Sequence, residues 1–132
     1  MIENQQPQAA AILLHRKYEA TRRRKVGQAR QAAKIKELRT ELLTLGYETL
    51  SEQAAVLGLK RTTIWAMFNS DHTRGGISSN TVKQLLGAKT APQGLKKIIL
   101  EYVSEKLAGA YGHNRSARKR FRSRVGLSAD SN

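Results

Sequence analysis

The chain has 132 residues, of which 24 are Lys or Arg and 10 are Asp or Glu, so its formal net charge at pH 7 is +14. Cysteine is absent, which excludes disulfides and thiolate metal sites, and no apolar run approaches the roughly 18 residues that a membrane span needs. A chain of one domain's length, strongly basic and without a signal peptide, is typical of proteins that bind nucleic acid. We therefore expect a cytoplasmic, nucleoid-associated location.

The charge is unevenly distributed along the chain. Residues 1–45 carry ten basic and four acidic side chains, residues 46–110 carry eight and five, and residues 111–132 carry six and one. The central part has the most balanced charge, so the folded domain is expected there, between two cationic flanks. We accordingly predict a flexible, basic helical arm at 1–28, a domain at 29–110 and a basic tail at 111–132.

Helix-forming residues dominate residues 9–45, where Gly27 is the one candidate break. The first half of this segment contains the basic run Arg22-Arg23-Arg24-Lys25 and has poor apolar spacing, so we interpret it as an arm and not as a core element. The second half has the three-four-three apolar spacing of one buried helix face, at Ile35, Leu38, Leu42 and Leu45. This helix is predicted to end at Gly46.

Two short helices joined by a tight turn are predicted between Ser51, a candidate cap, and Asn69. Gly58 interrupts the helical pattern and can adopt the left-handed conformation that reverses the chain. A small residue where the helices approach closely, an apolar residue after the glycine and inward apolar residues in the second helix complete the pattern. These residues are Ala54, Leu59, Ile64 and Met67. The spacing is that of a helix-turn-helix.

The other face of the second helix is the candidate DNA-reading surface. An α-helix fits the major groove, where arginine can bond guanine and the methyl groups of threonine and alanine can contact thymine. The predicted DNA-binding residues of this helix and the loop after it are Lys60, Arg61, Thr62, Thr63, Trp65, Ala66, Asn69 and Arg74. Those of the arm, predicted to contact phosphates regardless of sequence, are Arg22, Arg23, Arg24 and Lys25.

Two further helices are predicted after the loop. Ser78 or Ser79 caps the first, which ends at Gly87, and Pro92 begins the second. The second has the strongest amphipathic pattern of the chain, at Leu95, Ile98, Ile99, Tyr102, Val103 and Leu107. In the arginine-rich tail at 115–124, helix formation is expected only in the bound state. The predicted fold class is all-α, a compact bundle of about five helices that contains the helix-turn-helix.

The stretch from Leu57-Gly58-Leu59 to Ala66-Met67-Phe68-Asn69 resembles the recognition unit of the lambda-repressor/Cro-like (XRE-type) helix-turn-helix regulators. The resemblance extends from about residue 35 to residue 87. It implies a compact five-helix domain, double-stranded DNA as the ligand, and two-fold operators read by a homodimer. It implies a phosphate contact for Asn69. It implies groove-facing or base-reading roles for four residues, Arg61, Thr62, Trp65 and Ala66.

Two positions depart from that family. Lys60 stands where the family often has a serine that caps the recognition helix. Trp65 is bulky for a groove-facing position, so both a groove-facing and a core-filling role stay open for it. The basic arm and the basic tail lie outside the family's core.

Two other classes of function are compatible with the same features. One is a small basic RNA- or ribosome-associated protein, and the other is a protein-interaction adaptor that uses the helix-turn-helix fold. His15, His72 and His113 lack the spacing of metal ligands, and the sequence contains no paired nucleophile and base and no phosphate-binding loop. We therefore expect no catalytic activity, cofactor, metal or small-molecule ligand. The leading hypothesis is that the protein binds double-stranded DNA as a regulator of transcription.

Overall fold

The computed structural model describes residues 5–69 and 76–127, with side chains from residue 8 onward, and this part of the chain contains six α-helices and no strand. The helices are α1 (Gln5–Thr44), α2 (Leu50–Leu57), α3 (Arg61–Asn69), α4 (Ser79–Leu86), α5 (Gln93–Leu107) and α6 (Arg115–Val125). The predicted all-α class is confirmed. The described residues form a helical bundle with one helix more than the five expected.

α1 is a single helix of 40 residues, about 60 Å long, that passes through Gly27 without a break. Its N-terminal half is mostly exposed, and from Gly27 onward one face is buried against the bundle at Gln31, Leu38 and Leu42. Glycine at position 27 has a packing role, because a Cβ atom there would lie 2.3 Å from the carbonyl carbon of Tyr111. Position 27, predicted as a possible break in the helix, is thus the point where α1 packs closely against the loop that contains Tyr111.

The core lies between α1, α5 and the shorter helices. Five of the six residues in the amphipathic pattern of α5 are buried, and Leu107 is partly buried against them. They pack with Leu38 and Leu42 of α1 and with the inward residues of α2, α3 and α4. The apolar face of α5 therefore belongs to the core and is covered by the chain itself.

A cluster of charges joins α1 to α5 beside this core. The Lys34 ammonium lies 3.0 Å from a carboxylate oxygen of Glu37, 3.3 Å from one of Glu101 and 3.4 Å from one of Glu105. Partial burial lowers the pKa of Lys34, but the three carboxylates together raise it above its ordinary value. The acidic side chains of α5 are thus engaged on this side of α1.

Polar groups in the core hold the segment before α4 in place. The Tyr102 hydroxyl donates to Gln31 Oε1 at 3.0 Å and accepts from the Ile77 N–H at 2.9 Å. Gly76 has a φ of 65°, and a Cβ atom there would overlap the Gln31 side chain. Burial raises the pKa of Tyr102, so its hydroxyl stays protonated and serves as a donor at alkaline as well as neutral pH.

The arginine-rich tail forms α6 and packs against the bundle, which differs from the predicted coupling of helix formation to binding. The Asn114 side chain caps α6 by accepting from the Ala117 N–H at 2.8 Å. Phe121 and Val125, four residues apart and hence on one face, are 4% and 5% exposed. These two apolar residues give α6 a buried face. That face was not predicted, because most residues around it are arginines.

Lys106 lies under α6 and makes the stability of the fold depend on pH. It is 6% exposed, with its ammonium 4.6 Å from the ring centroid of Phe121 and 5.6 Å from that of Tyr102. Burial lowers the pKa of Lys106 to about 8. Between about pH 8 and the ordinary lysine pKa of 10.5, the folded state releases this proton while the unfolded chain keeps it, so we expect the free energy of unfolding to rise with pH in this window.

We expect this rise to disappear in Lys106→Met. Between pH 7 and 9.5 the wild-type protein should gain about 1–2 kcal/mol of unfolding free energy relative to the variant. Urea denaturation of both proteins at several pH values measures the difference, and the range stops below pH 10 so that tyrosine ionisation does not contribute. A difference that stays constant across this range would contradict the assignment.

Candidate nucleic-acid interface

α2 begins and ends at well-defined caps. The Thr49 hydroxyl accepts from the Glu52 N–H at 3.1 Å, and a Glu52 carboxylate oxygen accepts from the Thr49 N–H at 3.1 Å. This capping box starts the helix two residues before the predicted cap at Ser51. Gly58 ends it with a φ of 69°, the left-handed conformation expected from the sequence, and its N–H donates to the Ala54 carbonyl.

The residues predicted to hold α3 against α2 are in the interior. Ala54 is 7% exposed, Leu59 is 8% exposed, and Ile64 is completely buried. Met67 is partly buried against the same core, as is its neighbour Phe68. One face of α3 is therefore fixed to the bundle, and the turn at 58–60 determines which face remains outside.

The exposed face of α3 carries most of the residues predicted to bind DNA. Arg61, Trp65 and Asn69 are four residues apart, so they form a stripe along the helix, with Thr62 beside it. Trp65 is 56% exposed, and it faces solvent instead of filling the core. Lys60 is also exposed, whereas Thr63 and Ala66 are half-buried at the edges of the stripe. α3 contains no acidic residue.

One hydrogen bond limits what Asn69 can offer a ligand. Its side-chain amide nitrogen donates to the Trp65 carbonyl at 3.0 Å, one turn earlier in the same helix. This bond occupies one of the two amide N–H groups at the C-terminal end of α3. A phosphate contact from Asn69 would use the other.

The C-terminal half of α1 contributes two cations beside α3, Lys36 and Arg39, that were not predicted as DNA-binding residues. The Arg39 guanidinium lies over the Phe68 ring, 6.0 Å from its centroid, so Arg39 marks the α3 flank of α1. At about 100° and 1.5 Å per residue, Lys36 is about 60° from Arg39 around the helix and about 5 Å from it along the axis. Both are exposed. Their spacing from the apolar residues Ile35 and Leu38 could have indicated on which side of α1 they lie.

The basic run of the arm is exposed but does not form one surface. Arg24 and Lys25 lie within about 60° of Arg39, whereas Arg23 lies about 160° from it and Arg22 about 100° in the other direction. Four consecutive residues of a helix span most of its circumference, so they cannot all face one ligand. The remaining predicted contact, Arg74, lies outside the described residues.

Comparison of the chain with protein-family models, with curated proteins and with solved structures finds no match. Within residues 5–69 and 76–127, no helix has the length and apolar character needed to cross a membrane. The same ranges contain no group of three or more His, Asp or Glu residues placed to hold a metal ion.

Proposed function

We propose that this protein is a sequence-specific, double-stranded-DNA-binding regulator of transcription, with α2, the turn at 58–60 and α3 acting as a helix-turn-helix. The observation that carries the proposal is the division of α3 into two faces. Ile64 is completely buried, while Trp65 directly after it and Arg61 three residues before it are exposed. A helix held by one face, with its basic and aromatic face outside, has the form of a major-groove reader.

The charge around α3 supports a polyanionic ligand. Lys60 and Arg61 at its N-terminal end are exposed, and the α3 flank of α1 adds Lys36 and Arg39. The ammonium and guanidinium groups would neutralise backbone phosphates on both sides of the groove, while Arg61 would bond a guanine edge. The likeness to lambda-repressor/Cro-like regulators, including operators read by a homodimer, belongs to this proposal.

Trp65 supports a partner that covers the exposed face of α3. An indole with more than half of its surface in solvent has an apolar area that gains free energy when it is covered. It lies between Arg61 and Asn69, at the centre of the stripe. In the proposed complex the indole contacts base edges or sugars in the groove, and thymine methyl groups are the apolar features available there.

The test is the sequence preference of an Arg61→Ala variant. The preferred sequence is first selected from a random duplex pool with the full-length protein, and affinities are then measured for that duplex and a scrambled one. We expect the variant to lose about 1–3 kcal/mol on the preferred duplex and much less on the scrambled one. Lys97→Ala is the matched control, because it removes an exposed cation from α5 and should leave the ratio of the two affinities unchanged.

Three outcomes would contradict the proposal. Equal losses on both duplexes would exclude base reading by Arg61. Tighter binding to structured RNA than to any selected duplex would favour an RNA- or ribosome-associated protein. Selection that enriches no duplex, together with a stable complex with another protein through α3, would indicate an adaptor.

A further inference from the structure

The loop between α5 and α6 forms a cleft with α1 on the side of the bundle away from α3. Gly27 and Gly112 permit the close approach: Gly112 has a φ of 85°, and a Cβ atom there would lie 3.1 Å from the Arg24 Cα. The cleft has a volume of about 740 Å³. Four arginines line it from α1, and five residues of the loop line the other side: Arg22, Arg23, Arg24 and Arg30, and Gly109, Ala110, Gly112, His113 and Asn114.

α6 extends this cationic surface. An adjoining groove is lined by Arg115, Lys119 and Arg122, which are spaced four and three residues apart along one face of α6. Arg118 connects the two: its Nη1 donates to the Leu107 carbonyl at 3.3 Å, and its guanidinium lies beside Gly109. Glu19 is the one carboxylate among the described residues that line the two grooves. We refer to the cleft and the adjoining groove together as the α1–α6 cleft.

The α1–α6 cleft and the α3 flank lie on opposite sides of α1. Arg30 and Arg39 are nine residues apart, which is two and a half helical turns, so their side chains leave the helix in opposite directions. Arg23 is about 160° around the helix from Arg39 and about 24 Å along it. A duplex held by α3 and by the α3 flank of α1 therefore faces the side of α1 opposite these arginines.

The lining of the cleft fits a phosphate backbone. It is open, with arginines of α1 in the cleft and arginines of α6 in the adjoining groove. No Phe, Tyr or Trp is among the described residues that line it, so this lining lacks the stacking platforms of single-strand binders. Arginine forks onto phosphate oxygens in bidentate geometry. We propose that the α1–α6 cleft binds the backbone of a second DNA duplex segment, so that one protein bridges two segments. This inference rests on the proposed function, since α3 holds the first segment.

Bridging is measured by capture of one duplex by another. The preferred duplex is fixed sparsely on beads, the full-length protein is added below saturation, and a labelled duplex of unrelated sequence is supplied in solution. We expect the wild-type protein to retain the labelled duplex, and the double variant Arg23→Ala/Arg30→Ala to retain about tenfold less. Its affinity for the preferred duplex should change less than about twofold, because Arg23 and Arg30 both leave α1 on the side away from α3, where the predicted phosphate contact of Arg23 cannot be with the duplex that α3 holds. Lys96→Ala/Lys97→Ala removes the same charge from α5 and should bridge like wild type.

Both arginines are exposed, so the double variant should keep the wild-type circular dichroism and melting temperature. Retained bridging by this variant would overturn the inference, because a second copy of the chain would then hold the second duplex. Equal loss of bridging and of affinity for the preferred duplex would overturn it as well, because the cleft would contact the first segment. Displacement of the labelled duplex by double-stranded RNA at much lower concentration than by DNA would assign the cleft to RNA instead.

The failure of the proposed function gives a different result. In that case Arg61→Ala leaves the preference for the selected duplex unchanged, while Arg23→Ala/Arg30→Ala still lowers retention of the labelled duplex. The two variants thus report on the two surfaces separately.

Discussion

An Ile64→Ala variant is expected to lose about 2–5 kcal/mol of unfolding free energy, because it removes three buried carbons from a side chain with no exposed surface. The cavity would lie between α3, α2 and the core, where Leu57 is also completely buried. The loss is large compared with the roughly 5–15 kcal/mol that stabilises a typical domain. Urea denaturation followed by circular dichroism measures it.

The adjacent residue supplies the matched control. Trp65→Ala removes a larger side chain, but one that is 56% exposed, so its unfolding free energy should change by no more than about 0.5 kcal/mol. In the proposed DNA complex the same variant should bind the preferred duplex about tenfold more weakly, since the indole is then covered. A large loss of stability in Trp65→Ala, together with little change in Ile64→Ala, would contradict the assignment of the buried and exposed faces of α3.

A Gly27→Ala variant is expected to lose about 1–3 kcal/mol of unfolding free energy. The substitution favours helix by about 1 kcal/mol, so a rule based on helix propensity alone predicts a gain. The added Cβ would lie 2.3 Å from the Tyr111 carbonyl carbon and 2.4 Å from the Gly112 nitrogen, and neither main-chain atom can rotate away. The loop and α6 must shift, so bridging through the α1–α6 cleft should fall with stability.

Gly94→Ala is the control for this substitution. Gly94 is also in a helix, but its added Cβ would meet the Glu41 carboxylate at 3.2 Å, the mobile end of a long side chain. We expect a change within about 0.5 kcal/mol, in either direction. Hydrogen exchange shows where each variant acts: in Gly27→Ala, faster exchange should be concentrated in α6 and the loop before it. Equal stability of the two alanine variants would contradict the close contact at Gly27.

The helices around the proposed reading surface could be predicted from the sequence because their signals are local. The left-handed conformation of Gly58 and the inward spacing of Ile64 and Met67 involve residues within three turns of one another. Thr49 was missed as the cap of α2, although its spacing of three residues from Glu52 is the capping-box pattern and Ser51 has Ala54 at the corresponding position. The DNA-reading role of α3 remains a prediction.

The sequence shows which residues are candidate phosphate contacts, but it does not show which of them share a surface. The run at 22–25 is cationic in sequence, but which ligand each side chain can face depends on the phase of α1 relative to α3 and α5. Arg30 and Arg39 were not singled out, because each is an isolated cation among helix-forming residues. Arg39 lies over the Phe68 ring, and Arg30 lines the cleft between α1 and the loop before α6.

The sequence alone determined the all-α class, the turn at Gly58 and the division of α3 into an apolar and a basic face, because periodicity and backbone conformation are properties of neighbouring residues. Only the tertiary structure decided the role of Gly27, the folding of the arginine-rich tail as α6 and the solvent-facing position of Trp65. The first depends on contact with Tyr111, and the second on burial of Phe121 and Val125 over Lys106. Such contacts join residues distant in the chain, and no local pattern records them.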